Sequence, residues 1–138
     1  MPDKNKGGCL CGATRYEFSG EPIFQCNCHC LDCQKYSGTG HITAMAVPAD
    51  GFVIHGPLSS FTMPGDSGKG ITRHFCRRCG SHLVADGESM PGMKLIQVGT
   101  LDDPTQYWPQ VSVYAARAQK WDPPFDQAPA FDELPPRG

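Results

Sequence analysis

Eight cysteines in a chain of 138 residues fall into three groups, and their spacing suits metal ligation. The last group, Cys76-Arg77-Arg78-Cys79-Gly80, is a C-x-x-C-G turn. Such a turn curls until two sulfurs face one point, and the glycine after it permits a left-handed backbone that brings amide N–H groups to the thiolates. One pair supplies two of the four ligands of a tetrahedral structural zinc. The first group, Gly7-Gly8-Cys9-Leu10-Cys11-Gly12, is the natural complement, because glycines on both sides let it bend around an ion. Cys9, Cys11, Cys76 and Cys79 are therefore assigned to a closed four-sulfur site, with zinc its commoner occupant and iron the alternative. It would tie the first strand to the strand near residue 75 and couple metal binding to folding.

The middle group, Cys26-Asn27-Cys28-His29-Cys30-Leu31-Asp32-Cys33, carries more chemistry. Cys28, Cys30 and Cys33 place three sulfurs within six residues. Three protein ligands with one open position is the pattern of a catalytic zinc, and the open position takes a water or a substrate thiol. Spacing leaves a second reading standing, in which Cys26 supplies a fourth sulfur and closes a second structural site. Residues 26, 28 and 30 share a face if extended.

Other residues carry weaker signals. His29 lies between two of these cysteines and is expected to point away from the metal, to the surface or as hydrogen-bonding support. His74 and His82 read as packing or hydrogen-bonding residues on strands, and Asp32 as a cap for the turn amides. Arg73, Arg77 and Arg78 would offset the double negative charge of a four-thiolate zinc. Binding of substrate carboxylates is the alternative for them, and Lys35, just past the middle group, has the better claim to that role. Phe24, Tyr36, Phe61, Trp108 and Trp121 read as core or pocket wall. Residues 65–70 lack the order of a phosphate-binding loop and read as a flexible loop.

The elements that must position these groups are short. Apolar residues make up 39% of the chain, and Gly 16 and Pro 13 give turns a large share. Strands are predicted at 13–19, with Tyr16 and Phe18 on the inner face, and at 23–26. Another is predicted at 41–47, with Ile42, Ala44 and Ala46 on one side. Further strands are expected at 52–55, 58–62, 71–75, 82–85, 93–98 and 111–115, separated by Pro48, Gly56-Pro57, Pro64-Gly65, Gly87 and Pro91-Gly92. Only Leu31 to Ser37 can form a helical turn. The class is mainly β, with few or no long helices. The domain plan is an extended or disordered N-terminus at 1–6, one zinc domain at 7–125 and a Pro-rich tail at 126–138, packed on the domain or trailing from it.

Taken together, the quoted motifs resemble the glutathione-dependent formaldehyde-activating (GFA) enzyme family. They are Gly8-Cys9-Leu10-Cys11-Gly12, Cys28-His29-Cys30-Leu31-Asp32-Cys33-Gln34-Lys35 with Ser37-Gly38, and Phe75-Cys76-Arg77-Arg78-Cys79-Gly80-Ser81. Val98-Gly99-Thr100-Leu101-Asp102-Asp103-Pro104 and the Trp121 segment add to them, so that the likeness covers about residues 7–125. The resemblance implies an Mss4-like fold of β-sheets packed around a four-cysteine zinc. It also implies that Cys28, Cys30 and Cys33 hold a second, catalytic zinc whose occupancy need not be full, with Cys26 then a buried strand thiol. Gln34 stands where that family often has a basic residue. The implied activity is carbon–sulfur lyase chemistry, the joining of glutathione and formaldehyde into S-(hydroxymethyl)glutathione.

The competing reading is a zinc-stabilised protein-binding module with two structural zinc sites and no catalysis. Formal charge is -2 and the pI about 6.2, which provides no general attraction to nucleic acid. Two zinc ions add four positive charges while seven thiolates remove seven, leaving about -5. No apolar run approaches a membrane span, and the N-terminus is not a secretory signal. The chain is read as cytoplasmic, where eight cysteines are expected as thiolates and thiols in place of disulfides. A small thiol such as glutathione is the expected partner, with nucleic acid and membrane excluded.

Overall fold

A computed structural model of the chain describes residues 5–135. Residues 1–4 of the expected N-terminal extension and 136–138 of the expected tail lie outside them. The described residues form β1 (Lys6–Gly8), β2 (Arg15–Glu17), β3 (Phe24–Cys28), α1 (Leu31–Ser37), β4 (Ile42–Pro48), β5 (Val53–His55) and β6 (Leu58–Pro64). They continue with β7 (Gly70–Cys76), β8 (His82–Gly87), β9 (Met93–Gln97) and β10 (Val111–Val113), with three single 3-10 turns. The mainly β class with a single short helix matches the sequence expectation. Among the described residues no helix is long and apolar enough to cross a membrane.

The chain divides into two compact units. The first runs up to Ile23 and resumes at Met45–Gln106. Within it β1, β2 and β5 form an antiparallel sheet, with Gly7 opposite Tyr16 and Tyr16 opposite Ile54. β6, β7, β8 and β9 pair antiparallel in sequence order. Its core is made by Tyr16, Phe18, Leu83, Val84, Ile96, Val98 and Leu101, all buried, together with Met45, Ala46 and Val47. The glycine-rich segment 65–70 is the turn of the β6–β7 hairpin, closed by Gly65 N–H donating to the Lys69 carbonyl at 2.9 Å.

The second unit consists of Phe24–Ala44 and the chain from Tyr107 onward. Here β10 runs parallel to β3, with Val111 opposite Cys26 and Val113 opposite Cys28. Cys26, Ala44 and Val113 form an apolar cluster, with Phe24, Ile42, Val111 and Tyr114 packed against it. The Pro-rich segment adds to β10: Ser112 N–H donates to the Pro129 carbonyl, and Phe131 N–H donates to the Ser112 carbonyl, both at 2.9 Å.

Two expectations are corrected. β4 does not alternate: Ala44, Met45, Ala46 and Val47 are all at most 2% exposed, so the strand is covered on both faces. Trp108, Trp121 and Phe61 are exposed and belong to no core, although Trp108 packs edge-on against Phe125 at 5.1 Å.

Candidate metal centres

In the first unit two tight turns bring four sulfurs together. Cys9 accepts its own turn through Gly12 N–H, which donates to the Cys9 carbonyl at 3.1 Å, and Gly12 takes φ +81°. The Cys76–Cys79 turn repeats the arrangement: Gly80 N–H donates to the Cys76 carbonyl at 2.8 Å, and Gly80 also takes φ +81°. A side chain at that φ would be strained, which is why glycine follows each turn. The backbone N–H groups of Arg78 and Cys79 reach the Cys76 sulfur at 3.4 Å, and Thr14 N–H reaches the Cys9 sulfur at 3.3 Å.

The Cys9, Cys11, Cys76 and Cys79 sulfurs all lie within 4.8 Å of one another. Cys9–Cys11 is 3.6 Å and Cys11–Cys76 is 3.9 Å. A tetrahedron of 2.3 Å zinc–sulfur bonds has an edge of about 3.8 Å, so this donor set fits a zinc ion. The Ser81 hydroxyl and amide, with the Cys11 amide, draw the Cys79 thiol down to about 5. At Cys11 the Ala13 amide pulls downward, but burial and the neighbouring sulfurs win and push the thiol up to about 11. The sulfurs thus compete for protons until a cation takes them. Ser81 was not singled out from sequence, yet its hydroxyl sits 3.2 Å from the Cys79 sulfur and accepts Leu10 N–H at 3.0 Å. It links the two turns, and its place directly after C-x-x-C-G was the available signal.

In the second unit Cys28 ends β3, Cys30 caps α1 and Cys33 lies in the first helical turn. The Cys30 sulfur accepts Cys33 N–H at 3.2 Å, which is the helix-capping bond, and lies 2.9 Å from the Cys33 sulfur. Cys28, Cys30 and Cys33 converge within 4.8 Å. Cys26 is not in that group; it lies in the apolar cluster, where burial pushes its thiol up to about 11. Contact with Cys30 raises the Cys28 thiol to about 12, partly opposed by Cys33. Cys28 and Cys30 hold Cys33 above the ordinary thiol range. Three sulfurs this close share negative charge only when a cation is present, so the donor set suits a thiophilic metal ion.

The remaining predicted residues are placed as follows. Lys35 is exposed in the last turn of α1. Asp32 is exposed in the first turn, and the cap is Cys30 in its place. Gln34 clamps the second unit: its side-chain amide donates to the His29 and Arg117 carbonyls at 2.8 and 3.0 Å and accepts from Gln119 at 2.9 Å. Arg77 and Arg78 are exposed at the four-sulfur turn, whereas Arg73 is buried, and it depresses the His82 imidazole, whose burial is the larger cause. His74 bonds Asp86 at 2.6 Å, as a structural residue should. For His29 the surface placement is overturned, since the residue is fully buried. It converges with His41 and Asp122, two residues that spacing could not flag because they come from separate segments.

Comparison with known proteins agrees with this frame. A crystal structure of a Rhodobacter sphaeroides protein superposes with a TM-score of 0.59 at 18% identity, covering 91% of this chain and 99% of that one. At that identity the likeness concerns the fold alone. The sequence profile of the glutathione-dependent formaldehyde-activating enzyme family matches residues 4–117, a span containing all eight cysteines. With well over half of the chain matched and both cysteine centres inside the match, the protein belongs to the glutathione-dependent formaldehyde-activating enzyme family.

Proposed function

We propose that the protein is a cytoplasmic zinc-dependent carbon–sulfur lyase that joins glutathione, or a related thiol, to formaldehyde or another small aldehyde. Cys28, Cys30 and Cys33 are the ligands of its catalytic zinc, and Cys9, Cys11, Cys76 and Cys79 those of a structural zinc. The observation that carries this reading is the convergence of three sulfurs, and not four, in the second unit, with Cys26 turned into the apolar cluster. A zinc ion held by three thiolates keeps one position at which a thiol loses its proton readily or an aldehyde carbonyl is polarised.

The reaction needs no oxidant or reductant. The thiol sulfur bonds to the carbonyl carbon, the C=O double bond becomes a C–O single bond, and the thiol proton ends on the new hydroxyl oxygen. The chain's part is to hold the sulfurs rigidly. β3 fixes Cys28, while the helix cap and the first turn fix Cys30 and Cys33. Cys33 is only 6% exposed, so water is kept from one side of the centre. Lys35, exposed at the end of α1, offers a cation to a glutathione carboxylate.

The test is exchange between free formaldehyde and its glutathione adduct, followed by two-dimensional NMR exchange spectroscopy with and without the zinc-loaded protein. Acceleration over the spontaneous rate, abolished by Cys33→Ser, is expected. An unchanged rate at full zinc loading, with no binding of glutathione, would overturn the proposal in favour of a non-catalytic binding module.

A further inference from the structure

Among the described residues of the second unit, His29 is a buried imidazole that neither cysteine centre uses. His29 is 0% exposed, and neither of its ring nitrogens makes a hydrogen bond of ordinary geometry; the Gly40 backbone offers the imidazole only a weak contact. Burying an imidazole whose nitrogens lack well-formed hydrogen bonds is costly, and native proteins rarely do so without a ligand in view. Its ring faces that of His41, with centroids 5.0 Å apart and planes inclined by 35°. His41 Nδ1 lies 2.5 Å from Asp122 Oδ2, and both side chains are only about a quarter exposed, at 27% and 21%. One donor atom from each of the three residues lies within 4.8 Å of the other two. The backbone makes room for this grouping at Gly40, where any Cβ would collide with the Asp122 carboxylate and stand 2.6 Å from the Asp122 Cβ.

We propose that His29, His41 and Asp122 form a further binding site for a divalent first-row transition metal ion, separate from both cysteine centres. Two neutral imidazoles and one carboxylate are a donor set for zinc and its neighbours, and they leave open coordination positions. A hydrogen-bonded His41–Asp122 pair alone would account for those two residues. It does not account for His29, whose ring nitrogen completes the third corner. His29 is also one residue past Cys28, and its backbone N–H donates to the Val113 carbonyl at 3.0 Å, continuing the β3–β10 ladder. Successive side chains on such a ladder point to opposite sides, so the imidazole and the Cys28 thiol serve different ions. The donor sets also differ in softness, nitrogen and oxygen here against sulfur there.

The full chain is equilibrated against Zn²⁺, and metal per chain is measured by mass spectrometry of the digested protein. Asp122→Asn and His41→Asn are measured alongside, both at partly exposed positions. The wild type is expected to bind one equivalent more than either variant. In the Co²⁺ form the sulfur-to-cobalt charge-transfer absorption should be the same in all three, because the cysteine centres are untouched. The imidazole ¹⁵N resonances of His29 and His41 in the wild type should shift on adding Zn²⁺ after the sulfur bands have saturated. Equal stoichiometry in the three proteins, or His29 and His41 resonances indifferent to that last addition, would overturn the proposal. The resonance measurement needs no variant, so a substitution that fails to fold leaves it decisive.

Discussion

Cys79 and Cys33 are both small buried or half-buried thiols in C-x-x-C turns, yet the proposed function gives them different duties. Cys79 shares its centre with residues 68 and 70 positions earlier in the chain, on a turn tied to its own by Ser81 and the Cys11 amide and, in the proposed reading, by the zinc. Structural zinc binds with an apparent free energy of about 10–16 kcal/mol, comparable to the whole stability of a domain, about 5–15 kcal/mol. Cys79→Ser is therefore expected to unfold the first unit, seen as loss of near-ultraviolet circular dichroism and of one bound zinc. Cys33 shares its centre with residues at most five positions away, and the α1 cap uses the Cys33 backbone N–H and the Cys30 sulfur, not the Cys33 side chain. Cys33→Ser should keep native circular dichroism while formaldehyde exchange falls to the spontaneous rate. Equal unfolding of both variants would refute the division of labour.

Element by element, the strands from β2 to β10 were legible because their turns carry Gly and Pro and their inner faces carry apolar side chains. β1 was not, because Lys6-Gly7-Gly8 has no strand propensity; it forms through pairing with β2. Gly7 packs where a Cβ would collide with the Tyr16 ring hydroxyl and stand 2.5 Å from the Thr100 carbonyl. Tyr16 is itself 1% exposed and bonded to Thr100 at 2.8 Å. Gly7→Ala should thus cost about 1–3 kcal/mol by overpacking, measured as a lower denaturation midpoint at unchanged slope. The cysteine centres were legible for the same local reason, since most ligands are neighbours in sequence. His41, Asp122 and the clamp made by Gln34 were hidden because their partners lie more than 80 residues away or across two segments. β2 also supplies an electrostatic tie: both terminal nitrogens of Arg15 bond the Asp102 carboxylate, at 2.9 and 2.5 Å. Arg15 holds that carboxyl below its ordinary 3.8. A depressed folded value means the tie stabilises fully above pH 3.8 and fades as pH falls through the lower folded value. Asp102→Asn should flatten the acid limb of a melting-temperature profile in that window. The effect is modest and weaker in high salt, since the pair is partly exposed. A profile parallel to wild type would remove the tie from the account.

For the molecule as a whole, each compact unit owns one cysteine centre and one apolar core, and the two centres differ in how much chain they close. The four-sulfur group draws residues 9–11 and 76–79 together, so losing the zinc proposed there would free a long loop and leave two turns without their common anchor. The three-sulfur centre closes only residues 28–33. The second unit also keeps the parallel β3–β10 pair, the Cys26–Ala44–Val113 cluster and the added Pro129–Phe131 segment when that ion leaves. A zinc held there by three thiolates, as proposed, would have one ligand fewer than the four-sulfur site and one coordination position open to exchange. Stepwise chelation should accordingly release metal in two stages. The first equivalent removed should abolish formaldehyde exchange with little change in circular dichroism, and the last should bring unfolding. Re-addition of Zn²⁺ after the first stage should restore activity without a refolding lag. Loss of activity and structure in a single step would mean that the two ions are held with equal strength, and that the catalytic centre is as structural as the other.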